Sequence, residues 1–201
     1  MVVSRQITCL SSPQSKPHNK SKKVDKPMTD SQIDILKAAL DWTKAEMFSS
    51  VFFALFGVIF ILASYCFWQF GKTDTAKAYI IPLLVVGGLL VILGVGLVIS
   101  NQIRLSQFPI AFEADWAAFL ASEIARADKT VNGYETAIYR GLPLIALISA
   151  GLLLFVRTPI WQASLVCTLA MMAVILLVDT NAHARMVDYQ NQLQQLEQQH
   201  K

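Results

Sequence analysis

The chain has 201 residues, 54% of them hydrophobic and 15% charged, with a formal net charge of +3 and a mean hydropathy of +0.46. That balance is too apolar for an ordinary soluble domain. It also argues against a nucleic-acid binder, because the basic residues come without aromatic or motif support.

Residues 1–28 form a Ser-, Lys- and Pro-rich stretch with little apolar content, which predicts a disordered basic tail. Its cluster from Lys16 to Lys26 serves as a topology determinant and can lie against anionic lipid. No cleavable signal peptide is expected, since the first apolar stretch starts late and runs long. Met28 offers an alternative translation start. Cys9 reads as an unpaired thiol, and Asn19-Lys20-Ser21 as an unused glycosylation acceptor.

Thr29 and Gln32 fit a capping box that opens a helix. Ile33, Leu36, Leu40 and Met47 recur at helical spacing while Asp34, Lys37, Asp41 and Lys44 fall on other faces. An amphipathic segment, 29–46, should therefore run unbroken into a first apolar span, 47–70.

Three further spans follow at 78–100, 137–156 and 159–178, and none of the four carries a charged residue in its central part. At about 1.5 Å rise per residue each can cross a hydrocarbon core of about 30 Å, the third narrowly. Lipid cannot satisfy exposed backbone groups, so the fold class is all-α: a polytopic membrane protein with four transmembrane helices.

The segment 101–136 holds an amphipathic helix near 109–128, with Pro109 in its first turn and Phe112, Trp116, Phe119, Leu120 and Ile124 on one face. Its net negative charge favours packing on protein over lying on lipid. Asn132-Gly133 predicts a turn back to the membrane. Glu135 and Arg140 are candidates for an ion pair, and Pro143 for a kink in the third span. After the fourth span, residues 179–201 continue as a helix whose Met186, Tyr189, Leu193 and Leu196 follow a short coiled-coil-like spacing, too brief to prefer over an intramolecular stripe.

Lys and Arg set the orientation. Arg5, Lys16, Lys20, Lys22, Lys23, Lys26, Lys37 and Lys44 precede the first span, Arg104, Arg126, Lys129 and Arg140 lie between spans two and three, and Arg185 and Lys201 follow the last. The remaining two loops hold only Lys72, Lys77 and Arg157. Both termini and the long central segment should face the cytoplasm. Tyr65, Trp68, Phe70, Tyr79 and Trp161 suit an outer interfacial belt, and Trp42, Phe48, Tyr134 and Tyr139 an inner one.

Small residues mark helix-packing faces: Ser50, Ala54, Gly57 and Ser64 in span one, Gly87 and Gly94 in span two, Ala146 and Ala150 in span three, Ser164 and Thr168 in span four. No catalytic, cofactor or metal constellation stands out. His18, His183 and His200 lack metal-site spacing, and Cys66 and Cys167 read as packing residues. Gly71-Lys72-Thr73 lacks the earlier glycine of a phosphate loop.

The expectation is a non-enzymatic integral membrane protein, in a bacterial inner membrane by default. Membrane lipid surrounds it, and a protein partner or a second copy is its contact, through Phe112, Trp116, Phe119, Leu120, Met186, Tyr189, Leu193 and Leu196. An immunity protein against a membrane-acting toxin is the alternative. A small transporter or channel ranks below both, because the spans hold no carboxylate for a relay.

Overall fold

The computed structural model describes residues 30–199. The basic tail with Cys9 and His18, the Met28 start, Thr29 of the capping box, and His200 and Lys201 lie outside the described residues. Among the described residues all regular structure is helical: α1 (Asp30–Phe70), α2 (Asp74–Ala78), α3 (Ile80–Ala114), α4 (Trp116–Thr136), α5 (Leu142–Phe155) and α6 (Pro159–Gln199), with a π turn, Ala137–Gly141, joining α4 to α5. Four helical segments are long and apolar enough to cross a membrane: Gln32–Phe70, Asp74–Ala114, Trp116–Phe155 and Pro159–Gln198.

The first and last helices each have 41 residues, about twice the roughly 20 that a hydrocarbon core requires. Their surplus length projects from the apolar bundle, as the unbroken helical patterns before residue 47 and after residue 178 imply.

The middle of the chain departs from expectation. The helix containing span two does not end near residue 100 but continues as α3 to Ala114, with Pro109 inside it. The break comes at Asp115, whose backbone is extended and whose carboxylate accepts from the amides of Ala117 at 3.0 Å and Ala118 at 3.1 Å. A capping side chain satisfies the otherwise orphaned first amides of α4. The amphipathic helix thus starts at Trp116, not near residue 109. Asn132-Gly133 makes no turn either, for α4 runs straight through it. A helical glycine costs about 1 kcal/mol, less than the hydrogen bonds lost by interrupting the ladder at a membrane boundary.

Pro143 has no N–H to give, and the hydrogen-bond ladder is irregular just ahead of it. There the ladder widens to a π turn in which the Leu142 amide bonds to Ala137 O. The special backbone feature anticipated at this proline is an inserted residue within a continuous helix.

Among the spans, α1 and α3 pack most closely. A Cβ added to Gly57 would stand 2.7 Å from Gly87 O, and one added to Gly87 the same distance from Gly57 O. At Gly94 it would meet Ala54 N at 2.6 Å and Ser50 O at 2.9 Å. Without a hydrophobic force between helices in lipid, this backbone-to-backbone approach maximises dispersion. The Ser64 hydroxyl adds an interhelical bond to Ile80 O at 2.7 Å. Phe53, Leu83, Val86, Leu90, Cys167, Val174 and Val178 fill the space between α1, α3 and α6.

Packing of α5 is with α6. Leu142 and Ser149 are its buried residues, Ala146 is half-buried beside them, and Ala150 is exposed one position round the helix. Within the fourth span, on α6, the buried small residues are Ala163 and Cys167. Ser164 and Thr168 are half-buried, their hydroxyls returned to Ile160 O and Ser164 O. The contact face of each helix is thus centred one residue away from Ala150, Ser164 and Thr168.

Gly57→Ala and Gly87→Ala should each lower stability by about 1–3 kcal/mol through overpacking against backbone. Gly88→Ala and Gly151→Ala, where an added Cβ meets nothing within 4 Å, should be neutral or stabilising by up to about 1 kcal/mol. Unfolding of the four variants in detergent under one set of conditions checks the contrast.

Candidate functional site

Beyond the apolar spans, the first half of α1, the end of α3, α4 and the second half of α6 close on one another. Their core contains Ile35, Ala39 and Trp42 from α1, Phe108 and Phe112 from α3, Phe119, Leu120, Ala127 and Val131 from α4, and Met186, Tyr189 and Leu193 from α6. The aromatic ring of Phe119 meets those of Phe108 and Phe112 edge-on, at 5.4 and 5.6 Å. We call this assembly the end bundle.

Six of the eight side chains expected to meet a partner, Phe112, Phe119, Leu120, Met186, Tyr189 and Leu193, are in that core, with Trp116 and Leu196 half-buried against it. The short heptad-like seam is matched by α1 and α4 of the same chain.

A carboxylate, Glu123, is buried with these apolar residues, and the half-buried guanidinium of Arg126 pairs with it. Glu123 is 5% exposed and accepts from Arg126 Nε at 3.0 and 3.1 Å, with a further bond from the same guanidinium. Tyr189 Oη donates to Glu123 Oε2 at 2.9 Å. The Arg126 guanidinium lies 4.5 Å from the centre of the Trp42 ring, which stacks on Tyr189 at 5.2 Å. Charge-assisted bonds and the π face together replace the lost water. Burial alone would lower the Arg126 pKa, but the hydrogen bond and charge of Glu123 leave it raised. Burial, then the Glu123 charge, push the Tyr189 phenol upward.

One turn nearer the spans is a second polar group. Glu46 Oε1 accepts from Tyr134 Oη at 2.9 Å, and Glu46 Oε2 lies 3.8 Å from the Arg185 guanidinium, which also bonds to Ser49 Oγ. The His183 ring stands edge-on to Tyr134 at 6.2 Å. Asp179 lies one turn before His183 on α6, and on α3 the Arg104 guanidinium donates to Asn101 Oδ1 at 3.3 Å. Burial first, then the Glu46 charge, raise Asp179 to about 6. Burial, then Arg126, lower Arg104. Glu46 Oε2, His183 Nε2 and Arg185 Nε are buried with no hydrogen-bond partner.

Trp42 and Tyr134, expected in an interfacial belt, belong to these networks instead. Phe48, Tyr65, Trp68, Phe70, Tyr139 and Trp161 are exposed, as a lipid-facing residue would be, and Tyr79 stacks on Phe67 at 5.7 Å. Glu135 and Arg140 make no ion pair with each other among the described residues and line a shallow recess with Asn132, Thr136 and Tyr139.

Glu46, Asp179, Glu123 and the inward-facing Arg126 were missed as site residues by sequence reasoning. Their positions held a usable signal. Glu46 and Asp179 flank the ends of two antiparallel spans on the same side, and Glu46 follows Trp42 by one helical turn. No family model, curated protein or solved structure matches the chain.

Glu123→Ala should destabilise the end bundle by about 1–3 kcal/mol, since it leaves the half-buried Arg126 guanidinium and the Tyr189 hydroxyl without their acceptor, whereas the double replacement Glu123→Met/Arg126→Met should cost far less. Denaturation of both variants beside the unchanged protein measures the difference.

Proposed function

We propose that the protein is a non-enzymatic integral membrane protein that works by contact with another protein in a membrane assembly. Both termini and the end bundle lie on the cytoplasmic side of a bacterial inner membrane in this reading, which rests on the distribution of Lys and Arg.

The observation that carries it is the charge arrangement of α4. An amphipathic helix beside water ordinarily turns ionised residues outward. Here Glu123 and Arg126 point into the core, while Ala117, Ala118, Ala121, Ser122 and Ala125 are exposed. The Ser122 hydroxyl is engaged with Phe119 O at 2.8 Å, leaving a small and nearly unpolar strip. Such a strip admits a second helix at short distance. A helix of a partner protein is the occupant that fits a membrane assembly.

The test follows from the burial pattern. Charged replacements at Phe112 or Leu193 would unfold the end bundle and say nothing about a partner, so the informative positions are outside it. Ala121→Arg and Ala125→Arg should leave thermal unfolding unchanged and abolish a higher-mass complex in native-membrane extracts. A photo-crosslinker at Ala121 should yield one adduct of defined mass. A monomeric mass with no adduct overturns the proposal. Adducts confined to α5, with protection against a membrane-acting toxin, would transfer the reading to an immunity protein.

A further inference from the structure

We propose that the recess formed where α4 passes into α5 holds the headgroup of a phosphatidylethanolamine molecule, with its phosphate at Arg140 and its primary ammonium at Glu135. The inference stands apart from the identity of any protein partner and from which leaflet the recess faces.

The recess lies where one crossing changes solvent. On its α4 side Asn132, Glu135 and Thr136 are exposed, and on its α5 side the exposed residues are Leu144, Leu147 and Ile148. A single segment, Trp116–Phe155, carries both, so the membrane interface falls between them, at Tyr139 and Arg140. The exposed Tyr139 ring is the kind of amphipathic group that sits at this level. The recess measures about 220 Å³, below the roughly 300–1,000 Å³ of pockets that engulf a whole small molecule. It suits a polar headgroup whose chains remain in lipid.

Two opposite charges line this recess without neutralising each other. Glu135 and Arg140 are both exposed, and among the described residues neither has an ion pair or a side-chain hydrogen bond. Arg140 follows Glu135 by five positions, about 7 Å along the helix axis. Between them Thr136 Oγ1 donates to Asn132 O at 2.9 Å, which leaves its lone pairs for an incoming donor. The water end of the recess therefore offers acceptors, and its apolar end a guanidinium.

That polarity matches an ethanolamine phospholipid in sign and in direction. The phosphate is joined to the glycerol and lies nearer the hydrocarbon, while the ammonium ends the headgroup on the water side. Arg140 is correspondingly the charge nearer the span, and its planar fork pairs with two phosphate oxygens. An –NH₃⁺ group has three donors to share between Glu135 and Thr136. Phosphatidylglycerol offers the phosphate but no cation, and leaves Glu135 facing negative charge. Phosphatidylcholine keeps both charges, but its methylated ammonium has no N–H to donate.

The backbone gives an independent sign of a site. Tyr139 and Arg140 belong to the π turn Ala137–Gly141, and insertions of this kind occur frequently at functional positions. Beyond the turn α5 packs on α6, which leaves Leu144, Leu147 and Ile148 bare below the recess as a track for the acyl chains. Both charges are exposed, so the selectivity they confer is modest.

The experiment places the full-length protein in nanodiscs of equimolar phosphatidylethanolamine, phosphatidylglycerol and phosphatidylcholine with identical acyl chains. Native mass spectrometry then identifies the lipid that the released protein retains. The unchanged protein should hold the ethanolamine lipid about threefold over either rival. Glu135→Gln and Arg140→Gln should each abolish that enrichment, and so should the swap Glu135→Arg/Arg140→Glu, although its net charge is unaltered. Arg157→Gln, at the far end of α5, should preserve it. N-methylated forms of the ethanolamine lipid should be retained less with each methyl added. The replaced side chains are exposed, so thermal unfolding should be unchanged, and if the swap fails to fold the single variants decide. Absence of an ethanolamine preference, a preference that survives Glu135→Gln, or a phosphatidylglycerol preference lost in Arg140→Gln overturns the proposal.

Discussion

Backbone hydrogen bonding has no substitute inside hydrocarbon, and the rest of this molecule depends on that constraint. Once the chain has entered lipid as a helix, it cannot stop until it reaches water or a side chain able to cap it. The first and last helices leave the apolar region and simply continue, and α3 does the same to Ala114, where Asp115 supplies the cap. Three projecting helices with apolar stripes then have to cover one another, and α4 closes the group. The end bundle is thus a consequence of uninterrupted spans rather than a separate folding unit.

Burial of polar groups gives that bundle its specificity. Apolar stripes alone would allow α4 to rotate or slide against α1 and α6. The Glu123–Arg126 pair beneath Trp42 and Tyr189 has geometric requirements that one register satisfies, which is the best-attested use of buried charge. A full turn closer to the spans, Glu46 and its neighbours fix the same helices less completely, with orphaned atoms remaining. Both networks keep orphaned atoms, Trp42 Nε1 in the first and Glu46 Oε2, His183 Nε2 and Arg185 Nε in the second.

Much of the architecture is legible in the sequence. Apolar length gives the four spans, and the absence of Pro from Asp30 to Phe70, of Gly before Gly57, and of both after Val178 gives the two long helices, because these are local properties. Gly57, Gly87 and Gly94 are legible as packing residues since few other reasons exist for glycine within a span. The errors arose where a local signal met a stronger neighbouring demand. Pro109 and Asn132-Gly133 look like boundaries, yet helix continuity overrides both. Aromatic residues at a span end suggest a belt, but whether Trp42 faces lipid or Tyr189 depends on tertiary rotation. The polar networks were hidden for the same reason. Residues as distant as Tyr134 and Glu46 are brought together by the docking of helices, and no spacing rule links them.

The π turn ahead of Pro143 has a bearing on how the two halves of the third crossing are related. In an uninterrupted α-helix the azimuth of every side chain is dictated by those before it, so the water-exposed face of α4 would prescribe which face of α5 meets lipid. One inserted residue offsets that phase by about 100°. It uncouples the two surfaces, so that substitutions on the α4 strip and on the lipid face of α5 can accumulate independently. A single crossing thereby serves two environments without either imposing its periodicity on the other.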